Sequence, residues 1–193
     1  MTRLILASES PRRAALLRQI GLEFEVIPSS VAEEGTTAAR PASYAKKLAK
    51  SKARAVSKQV DEGIIIGADT VVCLGDRIFG KPKDAEDAAN TLKLLEGKVH
   101  RVVTGICVID KRSETAVTKA VTTQVKFRKL DARLIDWYVR TGEPLDKAGS
   151  YGIQGRGAVL IEWIRGSYSN VVGLPLETLS VILEGMKAFA DCK

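Results

Sequence analysis

The chain has 193 residues, 45% of them hydrophobic, and 30 Lys and Arg against 23 Asp and Glu give a formal net charge of +7. That is enough chain for one domain with a substantial core, and no apolar run nears the roughly 20 residues of a membrane span. Cys73, Cys107 and Cys192 lack CxxC spacing, which argues against a zinc site and for reduced thiols in the cytoplasm. The first ten residues, MTRLILASES, carry no cleavage-site pattern, so no signal peptide is expected.

In chain order, RLILA (3–7) predicts a buried strand running straight into a helix at Pro11. Ser10 suits the N-cap and Pro11 the first helical position, with Leu16, Leu17 and Ile20 at helical spacing before Gly21. EFEVIPSS (23–30) predicts the next strand, residues 41–59 a strongly basic helix, and GIIIGADTVVCL (63–74) an apolar strand that turns at Gly75–Asp76 into RIFGKP. Asp84 is an N-cap for a helix with Ala85, Ala88, Leu92 and Leu95 on one face and Gly97 as its stop. Residues 99–110 and 115–127, joined by KRSE, read as a long antiparallel hairpin. Asp131 caps a helix through Trp137 and Tyr138 that ends near Gly142, 157–166 is another strand, and 175–189 a closing helix. No internal repeat or linker interrupts this order. It predicts an α/β domain with a mixed sheet over residues 1–193.

Four places break their local pattern. The first is the helix start at Pro11. Its end carries about half a positive charge and unpaired N–H groups, so Arg12 and Arg13 there have the wrong sign unless an anion rests on them. The second is Lys52, which falls on the apolar stripe Ala45, Leu48, Ala49 and Val56 and either snorkels out or reaches a cleft. The third is Asp69, which interrupts an otherwise apolar strand and is suited to bind a metal or accept a proton. Glu33 and Glu34 are further oxygen donors, and Lys81 follows a turn close to that strand. The fourth is the glycine-rich run GEPLDKAGSYGIQGRGA (142–158), with Asp146, Lys147 and Gln154, whose backbone N–H groups and side-chain amide suit a base or phosphate. A sole histidine, His100, excludes a Ser–His–Asp set, and GxxxxGK[ST] is absent.

The blocks SxSPRRxxLL, GADTVV, GKPxDxxDA, HxVxTG, GEPxDKAGxYGIQGxGA and YxNVVGLPL run in one order from Ser8 to Leu176. Together they resemble the Maf family of nucleoside triphosphate pyrophosphatases. The resemblance implies an elongated mixed sheet with flanking helices, two lobes around a cleft, like inosine triphosphate pyrophosphatases. It also implies metal-dependent cleavage between the α and β phosphates; by their oxygen-donor chemistry Glu33 and Asp69, with the phosphate oxygens, are the candidate ligands of the divalent cation, Mg²⁺ or Mn²⁺. By position, Asp69 matches the proton acceptor, and Arg12, Thr70 and Gln154 match positions tied to substrate choice. Ser8, Arg13, Glu33, Lys52 and Lys81 match polar residues of the cleft. SPRR with ADT and GIQG resembles the branch acting on dTTP and UTP, whereas the branch acting on 7-methyl-GTP tends to carry a bulkier aromatic residue in place of the first arginine. Ser150 and Glu96 depart from the usual residues, at positions assigned no ligand. A homodimer is the family expectation. Two alternatives stay open: the same chemistry on 7-methyl-GTP or a non-canonical purine, or a nucleotide- or nucleic-acid-binding regulator of septum formation that uses the basic helix. Nucleic acid is not the expected partner, since no basic arm or aromatic-interleaved basic run is present.

Overall fold

The computed structural model describes residues 3–31 and 40–189. Chain order is β1 (Leu4–Leu6), α1 (Pro11–Gln19), β2 (Glu25–Val26), α2 (Pro41–Ser57), β3 (Ile64–Leu74), β4 (Arg77–Phe79), α3 (Ala85–Leu95), β5 (Val99–Asp110), β6 (Thr115–Phe127), α4 (Ala132–Arg140), β7 (Ile161–Arg165), α5 (Tyr168–Val172) and α6 (Leu176–Gly185). Three short 3₁₀ turns, 143–146, 148–150 and 155–160, separate α4 from β7.

Seven strands form one mixed sheet in the order β2-β1-β3-β5-β6-β7, with β4 beside β3. β1 is parallel to β2 and β3, and the remaining pairs are antiparallel. The β5–β6 hairpin pairs Val99 with Lys126 through to Asp110 with Thr115, as the alternation of the sequence predicts. Among the described residues helix α2 is the one helix on one face, packing Ala49, Ala53 and Val56 on Ile65 and Cys107, and Tyr44, Ala45 and Leu48 on Val71 and Val103. The opposite face carries two cores. One joins α1, α6 and the even residues Ile64, Ile66 and Ala68; the other joins α3, α4, Val72, Val102 and Phe127. Among the described residues no helix is long and apolar enough to cross a membrane.

Four expectations need correction. The strand expected over 23–30 shrinks to Glu25–Val26, because Pro28 has no N–H to continue the ladder after Ile27 donates to Leu6. The strand expected over 157–166 starts only at Ile161, after a 3₁₀ turn. The closing helix ends at Gly185 rather than at 189, and Lys187 lies at φ 55. Helix α5 was not expected at all; its five residues are capped by Ser167, whose side chain accepts the Asn170 N–H.

Candidate active-site cleft

β3 is paired with β5 from Ile64 to Cys73 on one side. On its other side β1 reaches only as far as Ile66, and β4 begins only at Val72. The edge over residues 67–71 thus has no neighbouring strand among the described residues. A cleft of about 1300 Å³ opens there, at the carboxyl end of β1. Asp69 and Thr70 lie on that edge and point to opposite faces.

Asp69 faces α2. The helix sits close to the sheet because β3 and β5 carry Gly67 and Gly105 beneath it: a Cβ on Gly67 would collide with the backbone of Ala49, and one on Gly105 with the backbone of Ala45. This seat brings Lys52 Nζ to 2.6 Å from Asp69 Oδ1, with the two residues 7% and 4% exposed. Burying two charges costs several kcal/mol per ion before their attraction repays it, so the pair is a poor device for stability and a pointer to function.

Thr70 faces α1. The Arg13 side chain is buried and donates through Nε to the Gly173 carbonyl (2.8 Å), through Nη1 to Ser8 Oγ (2.9 Å) and through Nη2 to Thr70 Oγ1 (3.2 Å). Thr104, the partner of Thr70 across β5, donates to the Asn170 carbonyl at 3.0 Å. Its single proton is thereby used, so the 2.9 Å contact between the two hydroxyls has Thr70 donating to Thr104. A directed relay results: Arg13 to Thr70 to Thr104 to the carbonyl of Asn170. The expected N-cap differs from the pattern too. Ser10 begins α1 without a side-chain cap, the first turn has no acidic residue, and Ser8 Oγ accepts the Ser10 N–H at 3.3 Å.

At the mouth, Arg12 Nη1 meets Asp146 Oδ2 at 3.0 Å, 134 residues away, and Lys147 Nζ meets Asp146 Oδ1 at 2.7 Å. Lys81 and Gln154 are exposed and line the same cleft. So the structure gathers Ser8, Arg12, Arg13, Lys52, Asp69, Thr70, Lys81 and Gln154 around one opening. Glu33 and Glu34 lie outside the described residues. Among the described residues no three His, Cys, Asp or Glu side chains are grouped to hold a metal.

His100 stands apart from the cleft chemistry. It is buried in β5, edge-on to Phe127 and Tyr151, with Nε2 2.7 Å from the Tyr151 hydroxyl. Burial pushes its imidazole down from 6.5 to about 4 and the Tyr151 phenol well above 10, so both are neutral packing groups near pH 7.

A model of the Maf-like protein family matches residues 3–186. The chain belongs to the Maf family. It is 49% identical over 185 residues to a dTTP/UTP pyrophosphatase of Ruminiclostridium cellulolyticum, covering 95% of this chain and 96% of that relative. With a dTTP/UTP pyrophosphatase of Thermococcus onnurineus it shares 53% over 174 residues, 90% of this chain and 92% of the relative. Among solved structures, the Staphylococcus aureus Ham1 protein superposes with a TM-score of 0.57 at 17% identity, over 95% of this chain and 99% of that one. That likeness shows this Maf chain to share the Ham1 fold, as the motif resemblance led one to expect.

Several residues that hold the cleft-lining groups in place from behind were not singled out in the sequence. Thr104 and Asn170 sit inside the quoted blocks HxVxTG and YxNVVGLPL, and a Thr or Asn in a buried apolar context is a signal of a polar network. Glu143 gives no such signal, because it accepts two backbone N–H groups of a later turn and the hydroxyl of Tyr138, a set of partners that no local pattern marks.

Proposed function

We propose that this chain hydrolyses nucleoside triphosphates, dTTP and UTP first among them, to the monophosphate and pyrophosphate. The observation that carries the reading is the buried Asp69–Lys52 pair on the open edge of β3, in a cleft whose walls bear Arg12, Arg13 and Lys81. An ammonium at hydrogen-bond distance is the natural partner of an ionised carboxylate, the form a proton acceptor must have. The names of relatives about half identical to this chain support the substrate class and the pyrimidine preference.

Asp69 takes a proton from a water whose oxygen attacks the α phosphorus. The bond to the α–β bridging oxygen breaks, and pyrophosphate leaves with that electron pair. Arg12, Arg13, Lys52 and Lys81 balance the charge that gathers on the β and γ oxygens. Removing one such preorganised donor costs on the order of 3 kcal/mol of barrier. Ser8 and Thr70 fix the Arg13 fork, and Gln154 offers its amide to the base.

A divalent cation, Mg²⁺ or Mn²⁺, fits the donor chemistry. Asp69 supplies a hard oxygen, Glu33 is a second candidate ligand, and phosphate oxygens would complete a shell that these residues alone do not fill. When bound, the cation neutralises phosphoryl charge. The buried thiols Cys73 and Cys107 are unpaired, which suits the cytoplasm as the working compartment. We read residues 1–193 as one catalytic domain.

Chromatography of products from dTTP, UTP, 7-methyl-GTP, ITP and ATP tests the reading. Monophosphate and pyrophosphate from dTTP and UTP are expected. Diphosphate with orthophosphate would place attack at the γ phosphorus, and turnover confined to the purines would overturn the base preference.

A further inference from the structure

Gln154 sits on a turn that one carboxylate holds shut. Glu143 Oε2 accepts the N–H of Arg156 at 3.0 Å, and Oε1 accepts the N–H of Gly157 at 3.1 Å. Oε1 also takes the Tyr138 hydroxyl proton at 3.0 Å, and the Tyr138 oxygen in turn accepts the Gly152 N–H at 3.1 Å. Both ends of the turn from Gly152 to Gly157 are thus tied to a single side chain, directly or through one phenol.

The glycines admit nothing larger. Gly155 lies at φ +66, where a Cβ would stand 3.0 Å from Glu143 Oε2. At Gly157 a Cβ would collide with the Gly152 carbonyl and stand 2.7 Å from the Tyr138 oxygen. The base of the clamp is itself fixed: the Glu143 N–H donates to Thr141 Oγ1 at 3.1 Å, and Lys147 Nζ donates to the Glu143 carbonyl at 2.7 Å. Such a turn holds its shape without strand or helix ladders, and the exposed Gln154 between its two tied ends faces the cleft. A carboxylate that accepts two backbone N–H groups does more than cover surface; it sets where the residue between those groups points.

We infer that Glu143 is the positioning residue for base discrimination, holding the 152–157 turn so that the Gln154 amide is presented at a fixed place to the nucleotide base. This rests on the proposal above that Gln154 reads the base. Glu143 touches no substrate itself; it acts through the backbone of the turn. In Glu143→Gln one acceptor oxygen becomes an NH₂ group facing backbone N–H donors, so at least one tie is lost while volume is kept.

The experiment is steady-state kinetics with dTTP and dCTP on the full chain and on Gln154→Ala, Glu143→Gln and Gly155→Ala, with hydrogen exchange of residues 152–157. Glu143→Gln is expected to speed exchange in the turn, to raise KM for dTTP more than it lowers kcat, and to cut the dTTP-over-dCTP ratio of kcat/KM about tenfold or more. The double variant with Gln154→Ala is expected to discriminate no worse than Gln154→Ala alone. If Gln154→Ala loses discrimination and Glu143→Gln keeps it, the inference falls and the base reading stands. If Gln154→Ala itself discriminates normally, both fall together. Should Glu143→Gln fail to fold, Gly155→Ala perturbs the same clamp from the turn side, and unchanged discrimination there overturns the inference equally.

Discussion

Asp69 and Thr70 are chain neighbours, yet β3 sends them to opposite faces of the sheet, and a buried cation meets each of them on different terms. On the α2 face the Lys52 ammonium meets a carboxylate at 2.6 Å. On the α1 face the Arg13 guanidinium is held by a carbonyl and two hydroxyls at 2.8–3.2 Å. An ion pair fixes charge as well as place, and suits a group that must exchange a proton. Bonds from all three nitrogens of the guanidinium fix the place and plane of a fork, which suits a group that must meet an anion. One strand therefore delivers two electrostatic tools to one cleft, and the pleat keeps them apart.

The largest expected effect comes from separating charge from shape on the α2 face. Asp69→Asn keeps an acceptor for Lys52 Nζ, so the fold should survive while turnover falls about a thousandfold, within the range of general-base catalysis. A pyrophosphate-release assay beside a thermal melt checks this, and turnover near wild type would reassign Asp69 to structure.

Acid should act on the other face, where His100 lies along β5 from Thr104. Its folded value of about 4 is below the unfolded 6.5, so the denatured chain binds the proton first. The stability it contributes is whole above pH 6.5 and is lost as the pH falls towards 4, up to about 3 kcal/mol. Urea midpoints from pH 7 to pH 4.5 should drop more steeply in the parent than in His100→Gln.

Thr104 and Gly105 repeat the opposition on β5, and smaller changes there sharpen it. Gly105→Ala forces α2 off the sheet and should destabilise by about 2 kcal/mol, with a loss of turnover as Lys52 leaves Asp69. Thr104→Val breaks the relay from Thr70 to the Asn170 carbonyl and should cost about 1 kcal/mol, with the Lys52–Asp69 pair untouched. Chemical denaturation of both variants measures the pair of effects.

Elements with strong periodicity could be read from the chain. The β5–β6 hairpin, α1 and the Asp84 and Asp131 caps all follow from local spacing, and both aspartates accept the N–H three residues on. Lys52 on the apolar stripe and Asp69 within the apolar strand were visible as anomalies, though nothing local says that they face each other. What stayed hidden depends on distant partners. Residues 157–160 look like the start of a strand, but Glu143 takes the N–H groups of Arg156 and Gly157, and the chain runs through a 3₁₀ turn over 155–160 instead. Arg12 finds Asp146, which no window of sequence contains.

Those separations have a kinetic side. The β5–β6 hairpin closes over a turn of four residues, whereas the cleft is tied by contacts 134 and 160 residues apart, from Arg12 to Asp146 and from Arg13 to Gly173. Long loops are closed late in folding, and regions joined by few such ties open at a lower free energy than the ladder of a sheet. The hairpin is therefore expected to assemble early and endure, and the cleft to form last and part first. Under mild denaturation the chain should thus pass through a state with an intact sheet and no working site.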